Sequence, residues 1–476
     1  MDLDGVKQGL IENEFLAVIL SGFGHELRPL TSNDGDEPFP KSLLPVANKP
    51  ILEYALSWLE KSGIKDVLIL CPESHHPILY HHINSEVSTS LTIDLQGFQE
   101  PQDVGAGTCA LLRHFSGHIT KDFILLPCDF VPPASFPLQR MLDKFRVDVV
   151  SNNAVLTTCW FPGCRPEKSL FPEEWINPST SSIMLDEETE SLLYIDSAND
   201  IDSNDENFEI RISLLSKYPR CKLLASYQDS HVYVCQRAVL DILCDKPHFL
   251  SFREEFLPFL CKTQHQLTRK RRYGQALLTP FSNSAQGRAL EHSTVYTRIC
   301  TTRLQKQVNV PPKGQTCAQP SLRIGVVLLT SGALRVNSLS TFFEINRRLL
   351  TSAAFVLPSD PKDRSLIDPK ALISADSIVG SSTQVSARAM IKKSVIGRHC
   401  KIGMQAKVNN CILFDHCAIG DGARLDNCIL GKNTKIGAAA EMTRCVTQTG
   451  FEVASGDVMR NEKLEISDWS LPNKYD

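Results

Sequence analysis

The strongest constraint on the fold of this chain is a column of aliphatic residues in its last third. Ile367, Ile373, Val379, Val385 and Ile391 stand six apart. Ile396, Ile402, Val408, Leu413, Ile419, Leu425, Leu430, Ile436 and Met442 follow in steps of six, six and five, a period of seventeen residues. Whole columns repeat at that interval: Gly403, Gly420 and Gly437; Ala406, Ala423 and Ala440; Asn410 and Asn427; Cys411, Cys428 and Cys445; Cys400 and Cys417. A repeat of this kind cannot bury its apolar positions within one unit, so coils must stack on one another and share a continuous interior. Stacked coils lie roughly 4.8 Å apart. The cysteine columns read as small buried hydrophobes rather than metal ligands or disulfides. The asparagines read as an amide ladder along the axis.

The first 130 residues follow a different rhythm. Phe15–Leu20 is a continuous apolar run bounded by Ser-Gly, as a strand buried on both faces requires. Ile51, Leu52, Ala55, Leu56 and Leu59 recur at helical spacing up to a stop at Gly63. Further strands are expected at Val67–Cys71, Leu91–Leu95 and Phe123–Leu126, with helices from Pro72 to Ile83 and from Gly107 onward. Strands alternating with helices predict an α/β doubly wound, Rossmann-like sheet. Ligands in such sheets sit beyond the strand carboxyl ends, where Gly22, Gly24 and Asp129 fall.

At 476 residues the chain is too long for one core. The expected division is a nucleotide-fold domain over 12–280, a linker region with local structure left open over 281–360, the repeat over 361–460 and a tail over 461–476. The net charge of −4 points to neither nucleic acid nor membrane as a partner. Sixteen cysteines without a secretory leader suggest reduced thiols and a cytosolic (cytoplasmic) location. Ten acidic residues and no lysine or arginine lie between Asp186 and Glu209, an acidic insertion near 180–210 that reads as a solvated loop. Arg269-Lys270-Arg271-Arg272 lacks the aromatic interleaving of a nucleic-acid site. His75, His76, His81 and His82 lack zinc spacing and read as helix-surface side chains. There is no G-x-x-x-x-G-K-[ST] loop and no G-x-S-x-G elbow.

Leu16–Thr31 followed by Pro40–Pro50 resembles the opening of the sugar-phosphate nucleotidyltransferases, G-G-x-G-T-R-L-x-P-L-T and P-K-P-x-L-P-x-x-x-K-P. Gly22 and Gly24 match, but Ser21 replaces the first glycine and His25-Glu26 replaces the threonine-arginine pair. In the family that arginine neutralises nucleotide phosphates, which an acidic side chain repels. Lys41 matches a substrate-facing lysine, and Gly107-Thr108 matches a G-T-A-x-A-L element packed near the base. Asp129 matches the metal aspartate of L-x-G-D, with Cys128 in place of its glycine. Tyr227–Val234 resembles a later N-A-G-I-Y-V element, with Asp229 at the sugar-contacting asparagine. No partner carboxylate for Asp129 is evident, and one ligand does not make a magnesium site. The resemblance therefore implies a vestigial pocket of Gly22, Gly24, Lys41, Gly107, Thr108 and Asp129, with no catalytic residue, metal or cofactor.

A nucleotidyltransferase-like domain followed by a hexapeptide-repeat, left-handed parallel β-helix occurs in sugar-nucleotide pyrophosphorylases. It also occurs in the gamma and epsilon subunits of eukaryotic translation initiation factor 2B. Glu26, Pro40–Pro50 and Asp229-Ser230-His231-Val232-Tyr233 resemble the gamma type, and the end at Asp476 leaves no room for epsilon's helical-repeat catalytic domain. That resemblance implies a non-enzymatic subunit that pairs with epsilon and the other subunits, with initiation factor 2 as the substrate of GDP/GTP exchange. The alternative is a regulatory, catalytically inactive pyrophosphorylase subunit.

Overall fold

A computed structural model describes residues 14–32, 39–99, 107–133, 135–163, 181–195, 210, 212–266, 268–269, 272–273, 322–329, 334–352 and 361–465. Residues 196–209 of the acidic insertion, Lys270, Arg271, most of the expected linker and the tail from 466 lie outside the described residues.

The first unit is organised on a nine-stranded sheet. Its strands are β1 (Phe15–Leu20), β2 (Asp66–Pro72), β3 (Thr92–Phe98), β4 (Asp122–Pro127), β5 (Ala154–Pro162), β6 (Ser181–Asp186), β7 (Ser191–Ile195), β8 (Cys221–Cys235) and β9 (Arg323–Leu328). Their spatial order is β3-β2-β1-β4-β8-β5-β9-β7-β6. The first four are parallel, with β1 between β2 and β4. The chain turns from one side of β1 to the other between β3 and β4, which opens a crevice beyond the ends of β1 and β4. Helices α1 (Ile51–Lys61), α2 (His76–Ser85), α3 (Thr108–His114), α4 (Leu138–Asn152), α5 (Ile212–Lys217), α6 (Ala238–Cys244) and α7 (Leu257–His265) surround the sheet. Alternation along β1 feeds both layers. Phe15, Ala17 and Ile19 pack with α1 and α4, and Val18 with α3, α6 and α7.

Three expectations need correction. The first part of the segment read as a solvated loop is the β6–β7 hairpin of the sheet, with Ile183 and Leu192 fully buried, because its aliphatic residues between the acidic ones pack into the core. Residues 323–352, placed in a linker, hold β9 and a fourteen-residue helix α8 (Leu339–Ser352). The apolar run Ile324–Leu328 lies parallel to β5 between β5 and β7. Its partner lies some 170 residues earlier, so local composition carried no sign of the pairing. Nor are all four histidines surface groups. His75 and His82 are buried, His75 with its ring edge-on to Phe23 and His82 between Glu53 and Glu86.

The C-terminal unit follows a short helix α9 (Pro361–Ser365) and consists of three parallel sheets with rungs seventeen residues apart. This is the left-handed β-helix architecture. The aliphatic column fills the interior, and Cys400, Cys411, Cys417, Cys428 and Cys445 lie there as free thiols. Asn410 donates its amide to Asn427 one coil above. The column glycines allow close stacking, since a Cβ at Gly403 would meet Asp421 Oδ1 at 2.5 Å.

A second column escapes the sequence pattern. Ile378, Val395, Ile412, Ile429 and Val446 each precede an interior residue and point outward on one sheet, yet all are buried. They pack on Phe342, Phe343, Ile345 and Leu350 of α8 and on Leu27, Leu44 and Val46 of the first unit. Phe414 completes the contact, edge-on to Phe342 at 6.1 Å. The corresponding outward positions of a second sheet are Gln384, Lys401, Ala418, Lys435 and Glu452. Each buried aliphatic contributes roughly 1.5–3 kcal/mol, so one face of the prism is fixed to the first unit.

Candidate functional site

The crevice is framed by the turns after β1 and β4, whose last residues Leu20 and Pro127 are register partners. Gly22 is exposed, and a Cβ there would have no neighbour within 4 Å. Gly24 adopts φ 77°, where a side chain is strained, and a Cβ would stand 3.0 Å from Lys41 Cβ. Phe23 turns inward from the same loop to stack on His25 and meet His75. Glu26 lies on the surface in the short turn that follows.

Lys41 and Asp129 meet. Lys41 Nζ is 2.5 Å from Asp129 Oδ2. A residue that sequence reasoning missed completes the group: Arg335 donates from Nη2 to Oδ2 at 3.0 Å and from Nε to Oδ1 at 3.2 Å. Arg335 arrives through an antiparallel bridge of Leu334–Arg335 with Phe130–Val131, reinforced by Val336 N–H on the Asp129 carbonyl at 2.9 Å. Burial alone would raise the Asp129 pKa, but Arg335 and Lys41 outweigh it and hold the carboxyl far below its ordinary value. Asp129 is an ionised, two-fold clamped carboxylate.

Asp229 is engaged as well. Its Oδ2 takes the Tyr233 hydroxyl at 2.6 Å and lies 2.9 Å from Arg253 Nε, while Oδ1 accepts the His231 N–H at 2.9 Å. Burial pushes its carboxyl up despite Arg253. Between the two aspartates sits His231, at φ 55°. Burial, Arg335 and Arg253 press its imidazole well below the ordinary value and keep it neutral. The kink at His231 breaks the pairing of β8 with β5 between Asp229 and Tyr233.

Gly107 and Thr108 are taken up by a different loop. A Cβ on Gly107 would fall 2.3 Å from the Leu250 carbonyl, and Thr108 Oγ1 accepts the Phe252 N–H at 2.8 Å. Both dock the 250–252 loop onto α3. The tip of the Pro40–Pro50 segment also faces protein: Asn48 donates to the Ile396 carbonyl at 2.6 Å, and Ala47 N–H donates to Asn346 at 2.8 Å.

A magnesium ion, which the nucleotidyltransferase resemblance implies, does not fit these residues. Every oxygen of Asp129 and Asp229 already accepts from a cation, a hydroxyl or an amide. Lys41, Arg253 and Arg335 are likewise engaged by the two carboxylates instead of facing a free phosphate pocket. No signal marked Arg335 in the sequence, because an arginine between two short apolar runs looks like any surface residue.

Fold and site together define a nucleotidyltransferase-type domain, with a neutralised crevice, joined to a left-handed β-helix. A nucleotidyl transferase family model matches residues 16–159, and an EIF2B subunit epsilon LbH domain model matches 362–458. Translation initiation factor eIF2B subunit gamma of Schizosaccharomyces pombe is 30% identical over 380 residues, covering 79% of this chain and 74% of that protein. The gamma subunit of Dictyostelium discoideum is 23% identical over 409 residues, covering 81% and 88% respectively. The eIF2B epsilon subunit of Dictyostelium discoideum is 24% identical over 52% of this chain and 33% of its own length. The chain belongs to the eIF2B gamma subunit family.

Proposed function

We propose that this chain is a non-catalytic subunit of the cytosolic guanine-nucleotide exchange complex for initiation factor 2, paired with an epsilon-type subunit. The observation that carries the non-catalytic part is the Lys41–Asp129–Arg335 clamp. Nucleotidyl transfer requires a carboxylate free for a metal and cations free for phosphates, and here the two requirements cancel one another. Family membership supports the place in the exchange complex. The β-helix, fixed along one face to the first unit, supplies a rigid post suited to assembly.

The test has two parts. Capture of the endogenous protein at moderate salt is expected to recover epsilon-type and initiation factor 2 subunits. The purified chain, given mannose 1-phosphate, GTP and magnesium, is expected to release no pyrophosphate. Recovery of a catalytic pyrophosphorylase instead, or measurable turnover, overturns the reading. Adding the chain to epsilon is expected to speed release of labelled GDP from initiation factor 2.

A further inference from the structure

A groove of about 620 Å³ runs between the end of α8 and one corner of the β-helix, away from the nucleotidyltransferase crevice. Four cations from the two units converge on it: Arg347 and Arg348 from α8, and Lys392 and Lys393 from the β-helix. Asn409, Asn410 and Asn427 line it beside them. Asp376 is the one carboxylate among the lining residues. Glu344 holds both arginines from beneath, with Arg348 Nε donating at 2.9 Å and Arg347 Nε at 3.2 Å. Asp426 accepts from Asn409 at 2.7 Å and from Asn427 at 3.0 Å. Lys392 and Lys393 are exposed and make no ion pair with any described residue. One coil above Asn427, Arg444 keeps a buried Nε without a hydrogen-bond partner among the described residues.

We propose that this groove binds an acidic polypeptide segment of a partner protein. Cations outnumber carboxylates, and Glu344 already orients the two arginines, so an incoming anion does not have to order those side chains. Guanidinium groups pair with carboxylates in planar two-point fashion. The asparagines, tied to one another and to Asp426, form an uncharged polar wall beside the cations. The described lining residues include no aromatic side chain, so among them a base of a single-stranded nucleic acid has nothing to stack on. An acidic peptide uses both the charge and the planar guanidinium geometry; an RNA strand finds the charge but no described aromatic platform. The inference is independent of the exchange reading, since it rests on the groove alone.

The experiment measures binding of a fluorescein-labelled deca-glutamate peptide to the full chain by anisotropy at low and moderate salt. The double variant K392E/K393E is expected to weaken binding by about tenfold or more. K401E, an exposed reversal on a different sheet, is expected to change it by less than about twofold. Both sites are exposed, and unchanged melting temperatures will show that the variants fold. R347Q is a second probe of the same groove and is expected to weaken the peptide too. Equal losses in K392E/K393E and K401E overturn the proposal, as does absence of peptide binding. A decauridine oligonucleotide that binds more tightly than the peptide and is lost in K392E/K393E overturns it in favour of nucleic acid.

Discussion

Arg335 grips Asp129 across 206 residues of chain, with two hydrogen bonds of 3.0 and 3.2 Å to separate carboxylate oxygens. Lys41 shares Oδ2. A position that would hold a metal in an active nucleotidyltransferase thus serves here as the knot that ties three distant segments together.

Removing one member of a buried ion group leaves the others uncompensated. Arg335→Ala is expected to destabilise the first unit by about 3 kcal/mol, read as a lower urea midpoint. Lys41→Met is expected to cost less, because Arg335 still makes both of its bonds. No pyrophosphate release is expected from either variant.

The clamp also sets a pH dependence. Because the Asp129 carboxyl is depressed in the folded chain, its contribution is complete above the unfolded value near 4 and is lost as pH falls toward the folded value. The stability difference between the native chain and Asp129→Asn is expected to be flat above about pH 5 and to shrink below about pH 4. Denaturant titrations at successive pH values will follow it; a difference that grows on acidification contradicts the assignment.

Phe414 joins the β-helix to α8 and to Phe39. Phe414→Ala is expected to destabilise by about 3–5 kcal/mol and to let proteases cut between the two units. Lys401→Ala, on a solvent-facing sheet, is expected to stay within about 0.5 kcal/mol. Thermal unfolding with limited proteolysis separates the two outcomes.

The β-helix thiols are buried, and burial together with sulfur-to-sulfur hydrogen bonding drives Cys417 and Cys428 well above the ordinary thiol value. Among the described cysteines, native alkylation is expected to label exposed Cys244 first and half-buried Cys221 more slowly. Cys400, Cys411, Cys417, Cys428 and Cys445 are expected to react only after denaturation. Mass spectrometry of the labelled peptides reads the order directly.

Much of this architecture is legible from residue spacing, because a solenoid repeats the same local solution in every coil. Ile396 to Met442 are interior at each expected position, and the strand formed by the first apolar run is followed by Gly22 and Gly24 as the motif implies. The site is less legible. Lys41 and Asp129 carry the family pattern, yet nothing local reveals that they neutralise one another. Thr108 is recognisable as part of a motif, but its use as an acceptor for Phe252 N–H depends on a loop 144 residues away.

The periodic elements are written in the chain itself: the three-sided coil, the parallel strands and the glycine turn after β1. These follow from side-chain pattern and backbone preference within a few residues. Long-range packing settles that β9 belongs to the sheet, that Ile412 and its column face α8, and that Arg335 closes on Asp129. Each depends on charges or apolar faces meeting across long separations, where the free energy comes from burial and pairing that no local window contains.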